Sequence, residues 1–570
     1  MDAISGFFSR IGRLILCFVF VFSSGFYSQK PNKAEPTLEP PEWPVWVHRH
    51  WVWENDGTQE SAMENVRSFI EKGIPVGAVI IDRPWATECN TFIPHPELYP
   101  DLADYVNMFH DIGVRVFIWA TSVINEGASN FEYAKEKGYF LNGGKTVKWW
   151  AGTGAYIDYT NPEAVEWWHW QMDNVLDMGI DGWKVDQSDV HMLKLFPAKG
   201  YGNKYVSWAD YKDLFFRDFY EYTREKSGKD RVISARPVDD FVFTVGFWMP
   251  PSAAPDINFA AWVGDQYNDW GGLRHALNNM FASAKYGYVS CGSDIGGFRI
   301  RERTEKEVLL RWAQLGAFCP VMENGNNQSR APWTYDDETL EIYRNFTVLH
   351  HELIPYIYSR AAYSYETGKA MMRPQPGEYM YLLGDDILVA PFFESGNARE
   401  VRFPAGEWIY MFDETKTYKS GKQTLEIPLD EFPVFIRKGA VIPLDYVEGD
   451  YYCLANGLFE GYTNVLAYPV NGETKFGLYE EDKNGSMLSY SKNNDALTLK
   501  SGETDRPLLF RIYGEAAPQS VGFKGGPALY EASSMAGLKA EGTGYFVDDG
   551  GIIWIAVEDA AGGIEIEVNY

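Results

Sequence analysis

Cysteine is scarce in this chain, at five in 570 residues. Cys17 lies inside an apolar amino-terminal run, and Cys89, Cys291, Cys319 and Cys453 stand far apart. None has the short spacing of a zinc site, so free buried thiols are expected rather than a disulfide framework. Histidine is nearly as sparse, at nine, and none joins an acidic residue at ligand spacing. No metal and no cofactor is expected.

Positive charge is also in deficit. The 51 Lys and Arg against 79 Asp and Glu leave a net charge of −28. Such a surface repels phosphate backbones and acidic lipid, which argues against nucleic acid or an anionic membrane as partner. It suits a soluble protein acting on neutral or cationic material. Long apolar runs are missing too, with one exception at residues 14–26, LILCFVFVFSSGF, preceded by Arg10 and Arg13. That core is shorter than the roughly 20 residues of a spanning helix. With Ser23, Ser24 and Gly25 behind it, it reads as a signal peptide over residues 1–28, and a secreted or periplasmic protein is expected. A retained membrane anchor is the alternative. Internal repeats and low-complexity tracts are absent from the sequence.

What the chain has in abundance is aromatic side chains, 16% of residues with 20 Trp and 36 Tyr. Many stand near Gly, Asp and Asn. Sugar-binding sites have this character, because aromatic faces stack on the C–H faces of pyranose rings. A large aromatic core is the plainer explanation.

After a proline-marked linker over residues 29–42, strand and helix patterns alternate. WPVWVHRHWVW, residues 43–53, is a strand candidate. Further strands are expected at 76–82, 114–119, 180–186, 231–236, 258–265, 287–294 and 319–323. Helices are expected at 60–72, 102–112, 162–178, 208–226, 272–284 and 305–318, with one long closing helix at 337–363. Eight such steps over residues 43–366 predict an α/β chain with a (β/α)8 TIM barrel. Period-two alternation then predicts a proximal β-sandwich over residues 367–450, followed by a distal β-domain over 451–570.

The chain is organised around residues 178–190, MGIDGWKVDQSDV. Ile180, Trp183 and Val185 are buried-strand residues, and Lys184 and Asp186 share the other face. In a barrel of parallel strands, that places Asp186 at the catalytic mouth. A core strand ending in a solvated turn, with Asp189 as a helix cap, accounts for this stretch equally well. Asp82, Asp265 and Asp294 also close expected strands. Four acids converging on one rim suit the paired carboxylates of glycoside chemistry better than a metal site.

WKVDQSD, WVGDQYNDWGGLRHALNNM, GSDIGGF, RWAQLGAFCPVM, DDILVAP and FPVFIRKGAVIPL occur in this order over about 400 residues. Together they resemble glycoside hydrolase family 31. The resemblance implies a retaining, exo-acting α-glycosidase whose substrate is an oligo- or polysaccharide. Members cleave α-glucosides, α-xylosides, α-galactosides or sulfoquinovosides, and some transfer glycosyl groups or act as lyases. By the same resemblance, Asp186 is the nucleophile and Asp265 the general acid/base. Asp82 and Asp294 would hold sugar hydroxyls, Trp119 and Trp262 would wall the ring, and Arg236 matches a strand-five arginine. Lys184 would place a positive charge beside Asp186.

The chain departs from the family pattern in two places. The family usually carries a sizeable β-sandwich before the barrel, whereas only the short linker precedes Trp43. A barrel insertion such as 125–155 would then have to complete the sugar pocket. After the eighth strand, many α-glucosidases carry Arg-x-His, whereas this chain reads MENGNN, with Glu323 in the run. An acid and amides in place of a histidine change the hydrogen-bond pattern offered to the ring. An unpaired buried polar group costs about 1–3 kcal/mol, enough to separate epimers. An α-galactoside-type substrate is therefore expected, slightly ahead of glucoside or xyloside. A transglycosylase and a dead carbohydrate-binding scaffold remain alternatives.

Overall fold

The fold is that of a computed structural model, which describes residues 36–186, 195–238, 251–299, 302–325, 330–449, 454–514 and 516–570. The expected signal peptide, most of the linker, Cys17, Cys453 and Asp189 lie outside the described residues. Cys89, Cys291 and Cys319 are free thiols.

Eight strands form one sheet: β1 (His50–Glu54), β2 (Ala78–Ile81), β3 (Arg115–Ala120), β4 (Gly182–Val185), β5 (Val232–Ala235), β6 (Ala261–Val263), β7 (Cys291–Ile295) and β8 (Met322–Asn324). Their order is β5-β4-β3-β2-β1-β8-β7-β6, so sequence neighbours pair and β1 lies beside β8. The β1–β8, β3–β4, β4–β5 and β7–β8 pairs are parallel. This is the expected parallel barrel. At the β5–β6 position, side chains bridge the strands. The Asn258 amide accepts from the Ala235 N–H at 3.2 Å and donates to the Ala235 carbonyl at 2.8 Å, and Ser234 Oγ donates to the Ala260 carbonyl at 2.8 Å.

Both faces of these strands are buried, which is why they read as apolar runs rather than as alternation. Charge inside such strands must be paired, and the strand ends are the easier place for it. Side-chain caps start the helices between strands: Asn161 for Pro162–Leu176, Ser207 for Trp208–Ser227 and Asp269 for Trp270–Lys285.

The chain divides into two compact units. The first, residues 55–60 and 80–263, carries β3 to β6. It also holds a small antiparallel sheet of Val123–Asn125, Gly152–Tyr156 and Val147–Trp149 inserted after β3. The second, residues 36–54, 61–79 and 264–570, carries β1, β7 and β8 and the carboxyl-terminal β-structure. There, a six-stranded sheet contains the long antiparallel hairpin of Ala398–Tyr410 and Asp413–Glu426. Two five-stranded sheets follow. Val441–Leu444, expected in the proximal sandwich, pairs instead with Thr463–Ala467 of the distal β-structure. Among the described residues, no helix is long and apolar enough to cross a membrane.

Two elements differ from expectation for identifiable reasons. Residues 43–53 are not one strand. After Pro44 the chain makes a 3-10 turn, Val45–His48, and the strand begins at His50. Residues 337–363 are two helices, Asp337–Glu352 and Ile354–Thr367. Pro355 sits in the first turn of the second, where it lacks a donor for a continuing helix and its ring would clash with the carbonyl four residues back.

In the second unit, desolvation keeps four histidines neutral. His48 Nε2 accepts from the Trp43 indole at 3.0 Å, so its proton is on Nδ1, 2.7 Å from the Pro320 carbonyl. His351 Nε2 accepts from the His50 N–H at 2.9 Å. Burial lowers His48 and His350 to about 4 and His50 to about 3, and His351 is also lowered. The unfolded chain takes up protons near pH 6.5 that the folded chain refuses, so stability is complete above pH 6.5 and is lost as pH falls toward 4. Each ring contributes about 1.4 kcal/mol per pH unit across that window. Thermal unfolding followed by circular dichroism should show a midpoint several degrees lower at pH 5.5 than at pH 7.5, and a flat profile would contradict this account.

Candidate active site

The first unit gathers six of the expected site residues into one contiguous network. Asp82 directly follows β2, Asp186 directly follows β4 and Arg236 directly follows β5, while Trp119, Lys184 and Trp262 lie within β3, β4 and β6. The Lys184 ammonium donates to Asp82 Oδ2 at 2.7 Å, with both residues buried. The other oxygen of Asp82 accepts from the Arg83 N–H at 2.9 Å. Arg236 Nε donates to Asp186 Oδ1 at 2.8 Å, and the Trp119 indole N–H donates to Asp186 Oδ2 at 3.4 Å. The Asp186 N–H donates to the Ala120 carbonyl at 2.9 Å, which fixes the carboxylate-bearing residue against the end of β3.

Trp262 links the two ion pairs. Lys184 Nζ and the Arg236 guanidinium carbon each lie 4.9 Å from its ring centroid. Lys184 was expected to place its charge beside Asp186; the partner seen at 2.7 Å is Asp82, which follows β2. The Asp186 side chain keeps 15% of its surface exposed, against 4% for Arg236. The arginine is thus embedded in the wall and the carboxylate is presented.

The inserted sheet contributes a residue that the sequence reading did not single out. Trp150 meets Trp119 edge to face at 5.9 Å, and the Arg83 guanidinium lies 4.8 Å from the Trp150 ring. Trp85 donates its indole N–H to the Trp119 carbonyl at 2.7 Å. The signal for Trp150 was its place in the 125–155 insertion. A paired tryptophan on a surface loop has no pattern of its own in the sequence.

The second unit carries the remaining three. Asp265 follows β6 after one glycine, with a left-handed backbone at φ 61°. Its N–H donates to Asp294 Oδ2 at 3.2 Å, and Arg299 lies 3.6 Å from its carboxylate. Asp294 is buried within β7 rather than at its end, in register with Glu323 on β8.

The residues after β6 are pinned against those after β7. The Gln266 carbonyl accepts from the Phe298 and Arg299 N–H groups, both at 2.9 Å. This approach requires Gly297, since a Cβ there would stand 2.6 Å from the Tyr267 carbonyl oxygen at a φ of +77°.

Gly325 after β8 has a comparable role. A Cβ there would reach 2.0 Å from the Trp53 ring. Phe298 packs on the same indole at 5.4 Å. Arg330 is buried beside them, donates to the Phe298 carbonyl at 2.9 Å and lies 5.6 Å from the Trp53 ring. Desolvation lowers its guanidinium to about 10, against the stabilising field of Asp294. Sequence reasoning missed Arg299, Arg330 and Trp53, because a lone arginine after a strand carries no spacing signature. Gln187 and Ser188 of the WKVDQSD run, and Asn326 and Asn327 of the MENGNN run, lie outside the described residues.

Residues 37–360 match the glycosyl hydrolases family 31 TIM-barrel domain, and residues 362–442 match the family's C-terminal domain. An alpha-xylosidase of Emericella nidulans is 25% identical over 71% of this chain and 54% of its own length. An isomaltosyltransferase of Sporosarcina globispora is 24% identical over 94% of this chain and 53% of its own. The chain thus spans about half the length of the curated relatives it matches. In fold, it is similar to a cycloalternan-forming enzyme from Listeria monocytogenes solved with a pentasaccharide substrate, with a TM-score of 0.81 at 19% identity over 93% of this chain and 55% of that one. The barrel match covers more than half of the sequence and takes in every strand that carries an expected site residue, so the chain belongs to glycosyl hydrolase family 31.

Proposed function

We propose that this protein is a retaining, exo-acting α-glycosidase that removes a terminal sugar from an oligo- or polysaccharide, with Asp186 as nucleophile and Asp265 as general acid/base. The observation that carries the reading is the setting of Asp186. It stands at the end of a barrel strand, oriented by Arg236 and the Trp119 indole and still partly open to solvent. A nucleophilic carboxylate needs a fixed attack direction and an exposed oxygen, and this arrangement supplies both.

Attack by Asp186 on the anomeric carbon forms a glycosyl ester as the leaving oxygen takes a proton from Asp265. Water, activated by the same Asp265, then releases the sugar with its configuration retained. The Asp82–Lys184 pair would bind ring hydroxyls, with the carboxylate accepting and the ammonium donating. Asp294 would act similarly. The Trp119 and Trp150 rings would stack on the sugar faces.

The galactoside expectation gives way here. The relatives named above are a xylosidase and an isomaltosyltransferase. They support an α-glucoside- or α-xyloside-type ring, in which the C4 hydroxyl is equatorial. The isomaltosyltransferase, aligned over 94% of this chain, also favours a second reading in which a sugar rather than water accepts the glycosyl group. Longer products formed from a disaccharide donor would select that reading. The apolar run at 14–26 behind Arg10 and Arg13 supports export of the protein.

A panel of p-nitrophenyl α-glucoside, α-xyloside, α-galactoside and α-N-acetylgalactosaminide should give turnover on glucoside or xyloside. Asp186→Asn should lower it at least about a thousandfold with the fold intact, and normal turnover in that variant would remove the assignment. Asp265→Asn should cost about a hundredfold more on a disaccharide than on the activated aryl glycoside. Equal losses on both would exclude the acid role. Proton NMR of the fresh product should show the α-anomer first, whereas initial β-anomer would mean inversion.

A further inference from the structure

A second concave surface lies in the first unit, on the outward side of the helix Pro162–Leu176. The helix turns Ala164, Trp168, Gln171, Met172 and Val175 inward. Glu163, Glu166, Trp167, Trp170 and Asn174 fall on a second stripe at the same helical spacing, and this one faces outward. The stripe forms one wall of a cavity of about 940 Å³, and Tyr133 of the helix Phe131–Lys137 is on the other. Trp167 is flanked by Tyr133 at 5.8 Å and Tyr139 at 5.5 Å, with ring planes inclined by 30° and 40°. These rings make a continuous aromatic surface. Trp170 is 65% exposed and Tyr133 48%, an expensive disposition for indole and phenol on a helix surface unless something covers them.

Polar groups converge on the same cavity. Gln171, 4% exposed, accepts from Asn130 Nδ2 at 2.7 Å. Its own Nε2 and the Asn130 Oδ1 are buried, with no hydrogen-bond partner among the described residues. Both residues line the cavity, and a spare donor on one and a spare acceptor on the other match a hydroxyl, which must both accept and donate. Glu163 and Glu166 on the rim offer further acceptors for hydroxyls and repel anions.

We propose that this groove is a second, non-catalytic binding site for a neutral glycan chain. Aromatic faces would take the C–H faces of successive sugars, and the Gln171–Asn130 pair and the rim carboxylates would take the hydroxyls. The acidic rim excludes sulfated or uronic-acid chains. It also disfavours a second copy of this chain, which carries the same net charge of −28. The inference does not depend on the roles of Asp186 and Asp265, since none of its residues belongs to the network around them.

Native affinity electrophoresis of the full chain through gels containing dextran, xyloglucan or dextran sulfate tests the proposal. Retardation by a neutral polymer is expected, weakened about tenfold in Trp170→Ala and in Tyr133→Ala, and preserved in Asp186→Asn. Circular dichroism melts of the variants distinguish lost binding from lost folding. Retardation that disappears in Asp186→Asn and survives in both aromatic variants would overturn the proposal in favour of binding at the barrel mouth alone. Stronger retardation by dextran sulfate would also overturn it. So would no retardation by any of the polymers, or Trp170-dependent self-association without glycan binding.

Discussion

Lys184 and Arg236 bring two cations within 4.9 Å of one buried indole, Trp262. Charge in such a wall survives only when it is paired, because the desolvation of an ion outweighs most of what its surroundings return. Asp82 compensates Lys184 and Asp186 compensates Arg236, so the two carboxylates are structural necessities before they are chemical ones. The barrel is the reason. Parallel strands buried on both faces leave few places for polar groups, and a charge among them must find a partner on a neighbouring strand or loop. Loss of Lys184 alone would strand Asp82 as a buried charge at a cost of about 3–5 kcal/mol. Asp186 differs from Asp82 in remaining partly open, and it is this residual exposure that fits a reacting group.

The same economy of space operates after β6 and β7. Asp265 adopts a left-handed backbone although it is not glycine, a conformation that persists only when neighbours over-determine it. Those neighbours can be named. The Asp265 N–H is taken by Asp294, and the next residue's carbonyl receives two N–H groups from 298 and 299. Gly297 allows the two segments to touch. The backbone that carries Asp265 is therefore fixed by its surroundings, and the Arg299 guanidinium lies 3.6 Å from its carboxylate.

Much of this was legible in the sequence, and what escaped has physical causes. The barrel strands were visible because two-sided burial writes them as apolar runs, and the acids after β2, β4 and β6 were visible because they end those runs. Asp294 was picked out in the same way, although the strand runs one residue past it, to Ile295. The turn at Val45–His48 was hidden because aromatic residues mark a buried 3-10 turn and a buried strand alike. The strand Asp413–Glu426 escaped because it is largely exposed and polar. It is held to its partner by ladder bonds and cross-strand pairs such as Glu400 with Lys422, 2.7 Å apart, so it carries no hydrophobic period. The partners of Lys184 and Arg236 were not readable, since they depend on how strands far apart in sequence align. Arg330 and Trp53 are 277 positions apart in the numbering and meet only because β1 closes on β8.

The aromatic richness that first suggested sugar chemistry resolves into distinct uses within one helix. Trp168 is fully buried and packs edge to face on Phe92 at 4.9 Å, which is core construction. Trp167, one position on the other side, joins the tyrosines of the outer groove, and Trp170 stands in solvent. The helical period assigns these roles, because adjacent residues point about 100° apart and cannot share an environment. Composition alone cannot separate them, which is why the aromatic content of this chain was ambiguous. Core packing explains Trp168 and explains neither Trp167 with its flanking rings nor Trp170. The outward stripe, with its acidic rim and buried amides, is therefore a feature that the stability of the barrel does not require.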